Sequence, residues 1–319
     1  MLGSRMGSGS ELSVDDPGVA GDFDRLVAEL GRVRPGSQLR NEFADWIPAG
    51  SMGTAIAARV QSCLKGRVPG SFIRLGDGEG NVLGLEDADY PTLGRFSACE
   101  ISRLHFGAPE VLIEDPELRS SLITAIRGAD LVGIPNAFRI QRLLGQTSRG
   151  DRVRGLFGVY SVLKYLEHHT DDLRLRKKAG ALEFHRALLP HLHALVRGRE
   201  MGLVSAYPDL PEAFQRHLEA RGVTFHPVPR AGRGSQDSGH YPLRYRELLD
   251  ELSKAQPATL YLVGAGMPGK VYCDVIRSAG GVAIDIGSTM DVLAGVRSRP
   301  NITPDLLSEF KIVEAAEAP

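Results

Sequence analysis

SFIRLGDGEG, residues 71–80, is the stretch on which the reading of this chain turns. Ser71 to Leu75 suits a short buried strand, and Gly76 and Gly78 break it into a turn that carries two carboxylates, Asp77 and Glu79. In an open α/β sheet such a turn stands at the carboxyl edge, where these sheets bind their ligands. Residues two apart in extended chain share a side, so Asp77 and Glu79 are expected to aim at one point. Gly76 and Gly78 carry no side chain to keep a ligand away. Two hard oxygen donors suit Mg2+ or Mn2+, with phosphate oxygens and water completing the shell, and Arg74 is placed to meet the same phosphate. A calcium-loop reading fails, because counting from Asp77 puts Val82 and Ala88 where glycine and glutamate are required.

Working outward, the chain alternates strands and helices. Apolar runs at 130–135, 201–206, 223–228, 259–264 and 282–287 read as buried strands, separated by segments with helical spacing. Ser51 is expected to cap a helix that Gly66 stops, and Asp115-Pro116 to open another. Residues 136–200 read as helical without a clear strand, and 229–242 as a loop long enough to act as a lid. This rhythm predicts βαβ units, hence an α/β, Rossmann-like, mostly parallel sheet with helices on both faces, in a single main domain over 51–300. Residues 1–50 are expected to be a tail and a helical extension, with Asp22 as cap of a helix over 22–33, and 301–319 a C-terminal tail.

Composition narrows the function. The 319 residues carry 38 basic and 39 acidic side chains, so there is no global field to hold a nucleic acid or an anionic membrane. Only seven of the basic residues are lysine, and arginine suits phosphate and carboxylate better. Three cysteines without short spacing give neither a disulfide framework nor a zinc knuckle, which fits a cytoplasmic protein. No apolar run is long enough to span a bilayer.

A second constellation is Gly264-Ala-Gly266-Met-Pro-Gly269-Lys270, between a strand and a helix, followed 21 residues after its first glycine by Asp285. Alone this is a dinucleotide fingerprint and supports an NAD-dependent oxidoreductase. Too little chain follows for a Rossmann domain to open here, whereas a C-terminal βαβ unit whose loop touches a nucleotide fits. His240 stands in the 229–242 loop beside Arg230 and Arg233, with acid, base or donor roles open to it. His168, His169, His185, His191 and His193 lack metal-ligand spacing and read as surface or packing residues.

The Ser-x-x-Arg-x-Gly-Asp-Gly-Glu block of 71–79 resembles the signature of the bacterial GT-D type glycosyltransferases. LVGIPNAFRI (131–140), HYP (240–242), LYLVGAGMPGKVY (260–272) and AIDIGSTMDVLAG (283–295) resemble later blocks of that family, in the same order. The resemblance implies a metal-dependent enzyme that moves a sugar, as from a UDP-hexose, to a hydroxyl of a glycan or glycoprotein acceptor. It implies Asp77 and Glu79 as ligands of the divalent metal on the donor diphosphate, and the Gly264–Gly269 turn as a wall of the donor site. It offers Asp285, Ser288 and Asp291 as pocket residues. Arg74, Asn136 and His240 complete the candidates, with His240, Asp285 and Asp291 left open as the general base. A non-catalytic nucleotide-sugar-binding protein is the alternative from another class, and a homo-oligomer is left open.

Overall fold

The computed structural model describes residues 12–32, 51–135, 137–145, 149–168, 179–230, 240–299 and 301–313. Seven strands are present: β1 Gly70–Arg74, β2 Leu131–Ile134, β3 Ala179–Ala181, β4 Glu200–Ser205, β5 Gly222–Pro227, β6 Leu260–Val263 and β7 Val282–Asp285. They form one sheet in the order β3-β2-β1-β7-β6-β4-β5, and every pairing is parallel. The expected α/β fold is observed. β3 was not expected. Its three residues, Ala-Gly-Ala, carry neither an apolar run nor a β-branched side chain, and what makes them a strand is the exposed edge of β2, where Val132 faces Ala179 and Ile134 faces Ala181.

Neighbouring residues of one strand serve opposite faces. Phe72 packs with Ile56, Leu131, Leu203, Leu262 and Ile284, while Ile73 packs with Leu122, Val132, Val204, Val263 and Ile276. Both faces are covered, so the strands read as continuous apolar runs instead of alternating ones. Burying each such side chain contributes roughly 1.5–3 kcal/mol.

A third cluster attaches the amino-terminal helix. That helix runs over Pro17–Arg32, starting earlier than expected, and packs Val19, Phe23, Leu26 and Leu30 against Tyr90, Leu93, Phe96 and Phe157. Asp22 therefore lies inside it and cannot cap it. Its carboxylate instead accepts from the N–H groups of Thr92 and Leu93, each at 3.1 Å, at the start of the Pro91–Phe106 helix. Residues 301–313, expected as tail, include the Pro304–Phe310 helix capped by Thr303. They fold back on the domain, with Ile302 buried and the Ile312 N–H donating to the Leu293 carbonyl at 2.9 Å.

Candidate functional site

The turn after β1 is shorter than the sequence suggests: Asp77 already begins the helix Asp77–Leu83. On a helix, residues two apart do not face each other, so the expected convergence of Asp77 and Glu79 does not occur. Glu79, third in the helix, turns back. Its Oε2 accepts from the Gly76 N–H at 2.7 Å and its Oε1 meets the Lys270 ammonium at 2.7 Å. Asp77 points the other way, to Arg139 at 2.8 Å.

Lys270 ties the floor together. Its ammonium lies 3.0 Å from Asp285 Oδ2 and donates to the Gly266 carbonyl at 3.0 Å. Arg74 reaches the same Asp285 carboxylate at 3.4 Å. Two cations and two anions thus neutralise one another with side chains nearly removed from water: Lys270 is 4% exposed, Glu79 8% and Asp285 0%. Burial works against both charges of the Glu79–Lys270 pair. Attraction outweighs it: Lys270 holds Glu79 below the usual carboxylate range, and Asp285 together with Glu79 holds Lys270 above the usual ammonium range.

Above this floor lies a cavity of about 880 Å³ at the carboxyl ends of the strands. Its wall includes Arg74, Gly76, Asp77, Gly78, Glu79, His240, Gly264, Gly266, Ser288 and Asp291 from the predicted set. Two predicted residues are not in that wall. Asp285 is buried beneath it in the ion pairs just described. Gly269 packs instead on the sheet, where an added Cβ would come within 3.2 Å of Val263 Cγ1. Asn136 and Arg233 lie outside the described residues. Of the other glycines in the fingerprint, Gly264 is required by packing, since a Cβ there would meet Met290 Cγ at 2.2 Å. Gly266 takes φ +61°, a left-handed conformation that suits glycine.

The glycine of the first block that matters most sterically is Gly80. A Cβ on Gly80 would fall 1.7 Å from the Gly158 carbonyl oxygen, and one on Gly158 would fall 2.1 Å from the Asp77 carbonyl oxygen. The Asp77–Leu83 helix therefore crosses the Arg149–His168 helix backbone against backbone. The same long helix contributes Arg154 to the cavity wall.

Several cavity residues escaped the sequence reading. His185, expected as a surface or packing residue, is buried in the wall, with Nδ1 at 3.2 Å from the Leu182 carbonyl oxygen. Nδ1 therefore carries the proton, and Nε2 accepts from Arg74 Nη1 at 3.4 Å. Burial, then the charges of Arg74 and Arg186, hold His185 well below its usual value. Its arrival depends on β3, which the sequence did not reveal. His105 faces Gly78 and Gly266, and burial pushes it down to about 4. His240 is likewise pushed down to about 4 by burial, and its Nε2 lies 2.8 Å from the Tyr272 hydroxyl. Lys270 did leave a signal, as the residue directly after the third glycine of the fingerprint. Arg139, Arg186 and Arg299 left none.

The donor set does not fit a divalent ion held by Asp77 and Glu79. Both Glu79 oxygens are engaged, one by a buried ammonium, and Asp77 diverges toward Arg139. Among the described residues, no group of three or more His, Cys, Asp or Glu is placed to hold a metal ion. Among them, too, no helix is long and apolar enough to cross a membrane.

No curated protein matches the chain. Two solved structures are similar over 82% of this chain and 89% of theirs. One is described as the highly conserved domain of unknown function 1792 with a distinct glycosyltransferase fold, at 17% identity and a TM-score of 0.44. The other is a selenomethionine-substituted structure of domain of unknown function 1792, at 18% and 0.45. Residues 52–174, the stretch that holds β1, the Asp77–Glu79 turn, β2, Arg139 and Arg154, match the family model of the GT-D fold-like domain, in agreement with the resemblance drawn from the SFIRLGDGE block.

Proposed function

We propose that this chain is a glycosyltransferase that takes a sugar from a nucleotide diphosphate donor, a UDP-hexose, and passes it to a hydroxyl of a glycan or glycoprotein acceptor. The observation that carries this reading is the charge of the cavity. Seven cationic side chains line it (Arg74, Arg139, Arg154, Arg186, Arg230, Arg299 and Lys270) against four acidic ones (Asp77, Glu79, Glu183 and Asp291). In a chain with near-zero net charge, such an excess marks the place for an anion. A departing nucleoside diphosphate gains negative charge as the glycosidic bond breaks, and fixed cations around it stabilise that charge more than the ground state. The cavity is also of a size that holds a nucleotide sugar.

Of the three candidates for general base, Asp291 fits best. It lines the cavity and has no ion pair among the described residues, its carboxylate accepting only from two hydroxyls of the same wall, Tyr207 at 2.7 Å and Ser298. Asp285 is committed to Lys270 and Arg74, and His240 to Tyr272. Asp291 would take the proton from the acceptor hydroxyl as that oxygen attacks the sugar carbon. The same commitment of Asp285 removes the acid that an NAD reading needs for a ribose hydroxyl.

The test is turnover of UDP-hexoses with hydroxyl acceptors by the wild-type chain and by Asp291→Asn. Release of UDP that falls by about 100-fold or more in the variant, with UDP affinity unchanged, supports the reading. Nucleotide-sugar binding without turnover in any acceptor extract would instead indicate a non-catalytic binding protein.

A further inference from the structure

Several arginines elsewhere in this molecule are paired with carboxylates, although others, such as Arg59, Arg95 and Arg127, have no ion pair among the described residues. Arg25 meets Asp22, Arg119 meets Glu86, Arg244 meets Glu251 and Arg277 meets Asp274. Arg186 and Arg299, both in the cavity wall, have no carboxylate within 4.0 Å among the described residues. They also stand near other cations. Burial, together with the charges of Arg74, Arg142 and Arg299, lowers the pKa of Arg186 although Glu183 opposes the shift. His105 and His185 line the same cavity, and the charge of Arg299 adds to the lowering of both. His185 supplies no charge of its own and instead holds one Arg74 nitrogen in place through Nε2. Like charges gathered around a neutral imidazole are arranged for an anion that bridges them.

We infer that the diphosphate of the donor is gripped by Arg74, Arg186 and Arg299, and that its binding requires no divalent metal. The inference rests on the reading above and goes beyond it, since guanidinium groups here take over the neutralising role that the Asp-x-Glu resemblance gives to a metal ion. The structural reason is that Lys270 already occupies the carboxylate such an ion would need. A planar guanidinium fork matches adjacent phosphate oxygens, and losing one such charge-assisted contact weakens binding by about tenfold.

Isothermal titration calorimetry with the full chain decides it, with UDP as probe, once in EDTA and once with Mn2+, and with uridine as the phosphate-free control. Arg186→Gln and Arg299→Gln are compared with wild type, and thermal melts confirm that each variant is folded. The expected result is equal UDP affinity in EDTA and Mn2+, a loss of about tenfold in each variant, and no change for uridine. UDP binding that appears only with Mn2+, disappears in Asp77→Asn and ignores both arginine substitutions overturns the inference while leaving a glycosyltransferase intact. Absence of binding by UDP and every other nucleoside diphosphate in both buffers overturns the inference and the proposed function together.

Discussion

The floor and the rim of the cavity carry the same kinds of charge and dispose of them differently. On the floor, Lys270 is paired with both Glu79 and Asp285, Arg74 reaches Asp285 at 3.4 Å and also lines the cavity, and all four sit on elements of the central sheet or the helices that follow it. At the rim, Arg186 follows the edge strand β3 and Arg299 follows the last turns after β7, and neither meets a carboxylate among the described residues. Charges that neutralise each other hold shape, whereas charges left over hold something else. The same residue type therefore predicts opposite outcomes when removed from the two places.

The largest effect is expected on the floor. Lys270→Met leaves two buried carboxylates without their shared cation and should cost about 3–5 kcal/mol in urea unfolding; a loss below about 1 kcal/mol would break the contrast. Acid sharpens it from another side. His105 and His240 have folded-state values near 4, below the ordinary 6.5, so the unfolded chain binds more protons between those limits. Stability is then fully present above about pH 6.5 and falls as pH drops toward 4, by at most about 3 kcal/mol per histidine. Urea midpoints at pH 7 and pH 4.5 measure this, and the double variant His105→Gln, His240→Gln should reduce the difference, with the buried His185 accounting for a remainder of the same sign. Next comes Gly158→Ala, which forces the Asp77 turn off its support and should cost about 2 kcal/mol by the same unfolding measurement. Smallest is the rim: Arg186→Gln and Arg299→Gln should shift stability by no more than about 0.5 kcal/mol, because no ion pair is lost. A large destabilisation there would mean the rim is structural after all.

Six of the seven strands were legible because buried parallel strands leave continuous apolar runs such as TLYLVG and VAIDIG. β3 was not, since Ala-Gly-Ala has no pattern and its pairing is decided by a neighbour about 45 residues earlier in the chain. The placement of the site was legible from the two glycine-rich turns, because strand ends in such sheets share one edge. The orientation of its carboxylates was not. Asp77 and Glu79 converge if the chain stays extended and diverge if a helix starts at Asp77, and the helix that does start there packs Gly80 against Gly158, a contact between residues far apart in the chain. Asp22 teaches the same lesson. Its residue type announced a cap, but only the packed fold shows that the helix it caps begins at Pro91.

The Pro17–Arg32 helix has a consequence for how this protein is divided. Phe23 and its neighbours press on Val153, Leu156 and Phe157, and the Arg152 guanidinium lies over the Phe23 ring, 5.4 Å from its centroid. That same long helix presents Arg154 to the cavity and braces Asp77 through Gly158. A chain trimmed to begin at residue 51 would look complete on paper, with every strand and every signature block retained. It would nonetheless strip the backing from the wall that positions one end of the site, so the smallest piece worth engineering begins ahead of Pro17.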